Sequence, residues 1–362
     1  MDDTESVGAK EASGPPYLAC CLLLLVVGIV GAGGAYVLAS APTHTPEGAQ
    51  VMAHPAGERL ASVSFSLRDE VQTVDHLGQP WSVVEGELVN KVSISLSSTV
   101  KRVVASGPWV AVVTKEGVNL VNRDEGTLDS LRAKGDRLAL DGDWAASASV
   151  TSATVTLSRR SEDLSWFGAE KGAPTLTPLR GGSCQALALG SGLLAVCNEL
   201  GEVTVFDVET LAVRAELKPP AELSPPAEGA SVVALAFSED GEELAAALES
   251  DLVVWSLEKE KVTLHATVVG ASLTALGVGK GVYVVGDSAG AVTAYGRSSK
   301  GEPELYFPYA AEPPLRPVSA VKSIAISGWR FAWCVNDQLF VFDVATLPIR
   351  IRKGSRTYTL PR

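Results

Sequence analysis

Along most of the chain the apolar residues come in short bursts bounded by turn residues, not at the spacing of a helix face. Ser231 to Leu257, SVVALAFSEDGEELAAALESDLVVWSL, is the clearest stretch. Its apolar runs are Val232–Phe237, Leu244–Leu248 and Leu252–Leu257. Ser238-Glu239-Asp240-Gly241 joins the first two and Glu249-Ser250-Asp251 the last two. Runs of about five residues between turn residues are strand signals. Asp-Gly supplies the positive φ that a tight hairpin needs. The stretch predicts a three-stranded antiparallel meander.

The same pattern recurs: a short apolar strand, a glycine turn, a bulky residue, a second apolar strand often containing Ala, a polar turn and a third strand. With this template included there are six copies, their turn glycines at Gly107, Gly142, Gly192, Gly241, Gly281 and Gly328, spaced 35 to 50 residues apart. A weaker seventh unit, Gly78 to Val89, precedes them and reads as shortened. Repeats of this size predict a radial array of small sheets, because one thin twisted sheet cannot cover its own faces and stacked sheets cover each other. The expected fold is all-β, a six- to seven-bladed β-propeller of four-stranded antiparallel blades, preceded by one transmembrane α-helix. Ala212–Leu217, Val262–Thr267 and Ile349–Arg352 are candidate outer strands. A strand near Val92–Leu96 is expected to close the ring.

Phe237-Ser238-Glu239-Asp240-Gly241-Glu242-Glu243-Leu244-Ala245-Ala246, followed by Asp251-Leu252-Val253-Val254-Trp255, resembles a WD-repeat blade. Val205-Phe206-Asp207-Val208 and Val341-Phe342-Asp343-Val344 resemble its ending, with Phe-Asp in place of Trp-Asp. The resemblance spans roughly residues 100–352 and implies the propeller fold and nothing finer. No Gly-His pair opens any blade, so the buried histidine network of such blades is not expected, and a divergent WD-like or quinoprotein-like propeller is.

The N-terminal part has another pattern. Residues 1–16 are polar and acidic and read as a disordered tail. Residues 17–38, YLACCLLLLVVGIVGAGGAYVL, carry no charge and span about 33 Å as a helix at 1.5 Å per residue, enough for a bilayer core of ~30 Å. They predict a single transmembrane helix; a cleaved signal peptide ending near Ala39-Ser40-Ala41 is the alternative. Lys10 lies on the short side and no basic residue follows the span until Arg59, which places the large domain outside the cytoplasm, periplasmic or extracellular. Gly28/Ala32 and Gly31/Ala35 have the spacing that permits a weak helix-mediated dimer. Residues 39–61 read as a Pro/Gly/Ala-rich linker and 62–362 as the propeller.

The net charge of -12 and the lack of a basic cluster beyond Lys101-Arg102 and Arg350 to Lys353 argue against nucleic acid. Of five cysteines, Cys184 and Cys197 flank a turn centred on Gly190-Ser191 and read as two buried thiols, a bridge between them in an oxidising compartment being the alternative. Gly286-Asp287-Ser288-Ala289-Gly290 matches a nucleophile-elbow pattern, but a strand follows where a helix is needed and no histidine lies downstream of His265. His44, His54, His76 and His265 are scattered, so no metal centre, cofactor site or catalytic set is expected. Insertions at residues 158–183, 218–230 and 308–317 are expected to leave the ring at its faces, making Arg159, Arg160, Trp166, Phe167 and Tyr309 candidate partner contacts. The expectation is a membrane-anchored, non-catalytic scaffold binding an unidentified protein. An enzymatic propeller, or an assembly or sensing component of a bacterial envelope, is the alternative.

Overall fold

The computed structural model describes residues 50–66, 70–90, 93, 100–123, 128–131, 135–150, 154–160, 166–167, 175–176, 183–220, 232–268, 272–297, 303–309, 319–328, 330–343, 350–353 and 356–359. All belong to one unit, Ala41–Arg362. The transmembrane helix expected over residues 17–38, with Cys20 and Cys21, lies outside them. Among the described residues, no helix is long and apolar enough to cross a membrane.

Seven antiparallel sheets form the ring, each with strands a to d from the axis outward. Blade 1 is Leu60–Phe65, Val71–Asp75, Pro80–Val84 and Glu87–Val89. Blade 2 is Val100–Ser106, Trp109–Thr114, Val118–Asn122 and Leu128–Leu131. Blade 3 is Arg137–Asp141, Trp144–Ala148 and Val155–Arg160, with Trp166–Phe167 and Thr175–Leu176 both paired to its strand c. Blade 4 is Cys184–Gly190, Leu193–Asn198, Val203–Asp207 and Val213–Leu217. Blade 5 is Val232–Phe237, Glu243–Leu248, Asp251–Ser256 and Lys261–Thr267. Blade 6 is Leu273–Val278, Val282–Asp287, Val292–Arg297 and Pro303–Tyr309. Blade 7 takes Val321–Ser327, Arg330–Val335 and Gln338–Asp343 from the C-terminal part, and Gln50–Ala53 as its outer strand. The innermost strands touch in cyclic order, blade 7 against blade 1.

The apolar pattern follows from this stacking. Strands b and c are buried on both faces, so they read as unbroken apolar runs. In blade 5, Leu244, Ala246 and Leu248 pack toward Ala195, Cys197 and Val205 of blade 4. Ala245 and Ala247 point the other way, toward Tyr283 and Val285 of blade 6. The alanines let neighbouring sheets approach closely, while Trp255, Tyr283 and Trp333 fill the wider gaps and are almost fully buried. Outer strands face solvent on one side and alternate, as Lys261–Thr267 does.

The six expected turn glycines all lie between strands a and b at positive φ, from 52° at Gly107 to 75° at Gly192. Polar side chains stitch neighbouring blades at the axis. Val63 N–H donates to Ser323 Oγ at 3.2 Å, Ala105 N–H to Ser62 Oγ at 3.2 Å, and Thr274 Oγ1 to Val321 O at 2.8 Å.

The ring closes differently from expectation. Gln50–Ala53 pairs antiparallel with Gln338–Val341, and Met52 is buried between Leu339 and Val341 of blade 7 and Leu60 and Leu88 of blade 1. Four residues of the stretch expected as a linker, 39–61, thus form a strand, and Leu60 begins the next. Four residues between Pro46 and Pro55, with one buried side chain, are too few to show a strand pattern. Most of Val92–Leu96, the expected closing strand, lies outside the described residues. Ile349–Arg352 is not the outer strand of blade 7: Arg350–Lys353 pairs with Arg356–Thr359 in a separate hairpin. The unit at Gly78 is a full blade, and Gly78 turns strand b into strand c, one strand later than the template placed it.

Candidate functional site

Turns a–b and c–d emerge on one face of the ring, turns b–c and links d–a on the other. The second face carries a built polar site in blade 1. His54 leaves the closing strand, and its Nδ1 accepts the N–H groups of Ala56 (3.3 Å) and Glu58 (3.1 Å). That leaves Nε2 to carry the proton, 3.6 Å from Asp75 Oδ2. Asp75 sits at the end of strand b, where Oδ1 accepts from the N–H groups of Leu77 and Gln79, both at 2.9 Å. Its Oδ2 accepts from Trp81 Nε1 at 3.1 Å, and the Trp81 ring meets His54 edge-on at 4.4 Å. Thr73, on the same strand, donates to Ser62 O at 2.8 Å. Here the expected absence of a buried histidine network is corrected. A buried histidine–aspartate–tryptophan cluster forms in blade 1 without a Gly-His pair, because Ala53-His54-Pro55 supplies the histidine after the closing strand; His54 Nε2 faces Asp75 at ion-pair distance and makes no hydrogen bond. Its role is to fix the geometry of this face; His54 and Asp75 are both buried and open to no ligand.

Two other b–c turns repeat its capping pattern. Asn198 Oδ1 accepts from Leu200 and Glu202 N–H at 2.9 and 3.0 Å, and Asp287 Oδ1 from Ala289 and Ala291 N–H at 2.8 and 2.9 Å. The Gly286–Gly290 pattern is therefore a hairpin turn between antiparallel strands, with Gly290 at a φ of 88°. Gly286 is needed there: a Cβ would lie 2.5 Å from Cβ of Val321 on blade 7.

At the axis, six of the inner strands carry a register shift at one common place, which takes Ala61, Lys101, Gln185, Val233, Thr274 and Lys322 out of the ladder. These residues circle the channel opening on the b–c/d–a face. Lys101, Val233 and Lys322 are exposed. Arg102 and Arg137 follow on blades 2 and 3, Arg102 Nη1 donating to Asp136 O at 3.3 Å and Arg137 Nε to Gln185 O. The Arg102 guanidinium is held below its ordinary value by loss of solvent and then by the Arg137 charge, which Asp136 offsets only in part. Leu77, Leu200 and Val233 expose 49%, 51% and 37% of their surface on this same face. The opposite face exposes Glu239, Asp240, Glu242, Glu258 and Glu260 on blade 5 and Glu209 on blade 4, with Lys259 and Lys261 among them, while the b–c turns around the basic opening also expose Glu116, Glu199 and Glu249.

No protein-family model matches the chain, and no curated protein sequence does. Solved structures do. A chain in the crystal structure of the mitotic checkpoint complex superposes with a TM-score of 0.61 at 14% identity, over 95% of this chain and 98% of that one. The structure of U3-55K gives 0.60 at 12% identity, over 83% and 99%. The computationally designed Ika8 protein gives 0.58 at 15%, over 82% and 100%. The likeness is one of fold: a seven-bladed propeller with WD-repeat-like neighbours.

The sequence-predicted contact residues fall on both faces. Arg159 and Arg160 end strand c of blade 3 and pair in register with Phe167 and Trp166, so the insertion expected at 158–183 begins after the blade's third strand. Arg160 lies 4.4 Å over the Trp109 ring of blade 2, an inter-blade contact. Arg159 stays exposed, pairing with Glu209 at 3.2 Å. Tyr309 ends the outer strand of blade 6, on the b–c/d–a side. Residues 221–231 and 310–318, the bulk of the two proline-rich insertions, lie outside the described residues. Of the two readings of Cys184 and Cys197, the structure has two buried thiols and no bridge. The hairpin turns at Ser191-Gly192, so Cys197 faces Ala186 and a bulge sets Cys184 opposite Asn198. The two thiols are free, buried, and point into different inter-blade layers. Sequence reasoning missed His54, Asp75 and Trp81 as a group; the signal was a histidine followed by an Asp-x-x-Gly turn and a Trp.

Proposed function

We propose that this chain is a non-catalytic scaffold that binds a protein partner through the b–c/d–a face of its propeller. The observation that carries the reading is the coincidence, on that face, of three exposed large apolar side chains, Leu77, Leu200 and Val233, with a basic channel opening. The three stand on separate blades, 1, 4 and 5, around that opening, and a partner spanning the face would cover all of them together with the charge between them. Leu77 and Leu200 sit on short b–c turns whose N–H groups Asp75 and Asn198 accept, and Val233 on a bulge of an inner strand, so little ordering cost falls on binding. One structural neighbour is a chain of the mitotic checkpoint complex, which supports a binding role by analogy of fold. Residues 17–38 would hold the propeller at a membrane, on the side away from the cytoplasm, and concentrate it there.

The test is capture from the native membrane with the full-length chain and with the Leu77→Asp/Leu200→Asp/Val233→Asp variant. The reading expects a stoichiometric protein partner that the variant loses while its thermal midpoint is kept. Capture of the same partner by the variant, or no partner together with turnover of a small substrate, would refute it. Protease accessibility in intact cells tests the side of the membrane.

A further inference from the structure

Between blades 2 and 3, on the b–c/d–a face, lies a cleft of about 240 Å³ lined by Lys101, Thr114, Lys115, Gly135, Asp136 and Ser149, with Val113 and Gly117 completing it. It exists because of its backbone. Lys101 is the residue expelled from the ladder by the bulge in strand a of blade 2, and Lys115 belongs to that blade's b–c turn. Two lining positions are glycines and add no side chain. At Gly135 none fits, since a Cβ would lie 2.5 Å from Ala148 O. The wall therefore stays open while both lysines stand exposed at its rim.

The charge is unusual for this chain, which carries a net -12. Among the described residues, Lys101 and Lys115 in the cleft and Arg102 and Arg137 beside it meet Asp136 in the lining and Glu116 in the same turn as Lys115. Two carboxylates do not neutralise four cations.

We infer that this cleft binds a phosphorylated polyol. The phosphoryl group sits against the Lys101 and Lys115 ammonium groups, each a point charge with three donors suited to phosphate. Asp136 repels that group but accepts hydrogen bonds from hydroxyls next to it, which is why the ligand is a polyol phosphate and not phosphate alone. The same chemistry occurs in a soluble sugar phosphate and in a phosphorylated inositol lipid headgroup.

The experiment is calorimetric titration of the full-length chain with inorganic phosphate, glucose 6-phosphate and a short-chain soluble phosphatidylinositol 4-phosphate. The wild type binds at least one phosphorylated polyol, at least ten-fold more tightly than inorganic phosphate. Lys101→Gln/Lys115→Gln, both exposed positions, weakens that binding at least ten-fold with an unchanged melting midpoint. Asp136→Asn tightens inorganic phosphate and weakens the polyol phosphate. Preference for the short-chain lipid assigns the source to a headgroup, and preference for glucose 6-phosphate to a free metabolite; either upholds the site. Failure of the wild type to bind any polyol phosphate, an unaffected double lysine variant, or an Asp136→Asn variant that shifts all three probes alike overturns it.

Discussion

Replacing Asp75 tests whether the blade 1 network is an integrated unit or a turn cap with ornaments. Asp75→Ala removes the acceptors for Leu77 N–H, Gln79 N–H and Trp81 Nε1–H, at 2.9, 2.9 and 3.1 Å, and leaves His54 without its charge partner. Asp287→Ala is the internal control. It removes only two backbone bonds, at 2.8 and 2.9 Å, from the corresponding turn of blade 6. Asp75 is 2% exposed and Asp287 9%, so water replaces the lost acceptor more easily at Asp287. Hydrogen bonds to a charged group contribute roughly 1.5–3 kcal/mol each, less where water substitutes. Each buried donor left without an acceptor costs about 1–3 kcal/mol, partly recovered by relaxation, and Asp75→Ala leaves three. We therefore expect about 3–5 kcal/mol for Asp75→Ala and about 1–2 kcal/mol for Asp287→Ala. Asp75→Asn keeps the Oδ1 acceptor but turns an amide donor toward Trp81 Nε1–H, and falls between them. Urea unfolding of the full-length chain followed by tryptophan fluorescence measures all three, with Trp81 as a local reporter. Equal losses for Asp75→Ala and Asp287→Ala would refute the reasoning.

Other outcomes follow from burial and charge. Burial pushes the Cys184 thiol up to about 11, Cys334 up to about 12 and Cys197 further still, so none of the three should react with a maleimide in the native chain and all should after denaturation, read by peptide mass mapping. Burial holds the Asp141 carboxyl above its ordinary value, against the opposing hydrogen bond from Ser191 N–H, so its charge costs stability once pH rises through the folded pKa. Asp141→Asn should raise the melting midpoint at pH 7 and lose that gain near pH 3. Asp251 has the opposite sign: burial raises it, but the bonds from His265, Thr267 and Ser250 and the His265 charge together outweigh burial and hold it low. Its contribution is present above the unfolded pKa and lost as pH falls through the folded one, so Asp251→Asn should melt lower than wild type at pH 7 and converge with it in acid. Gly286→Ala should cost about 1–3 kcal/mol by driving a Cβ into Val321, while Ser288→Ala in the same motif should stay within about 0.5 kcal/mol. The reverse order in paired melts would contradict this packing.

The blades with long, doubly buried strands were legible in the sequence. Leu244–Leu248 and Leu252–Leu257 stand out because both faces are covered, and glycines 107, 142, 192, 241, 281 and 328 because each turn needs a positive φ. What escaped was short or edge-like. Gln50–Ala53 buries one side chain, so nothing in its pattern separates it from a spacer. Missing it hid His54, and with it the polar network. The cysteine register failed by a turn one residue further on and a bulge, neither visible as an apolar pattern. The basic opening was visible only as Lys101-Arg102, because Arg137 and Lys322 come from other blades and meet it only around the axis.

The central claim is a ring closed by its own N-terminal strand, and hydrogen exchange at Gln50–Ala53 tests it most directly. The hydrogen-bonded amides of this segment should exchange as slowly as those of Gln338–Val341, its partners. Met52→Asp should speed both segments together. Exchange of residues 50–53 at the rate of an unpaired spacer, with 338–341 protected regardless, would contradict the closure and the face built upon it.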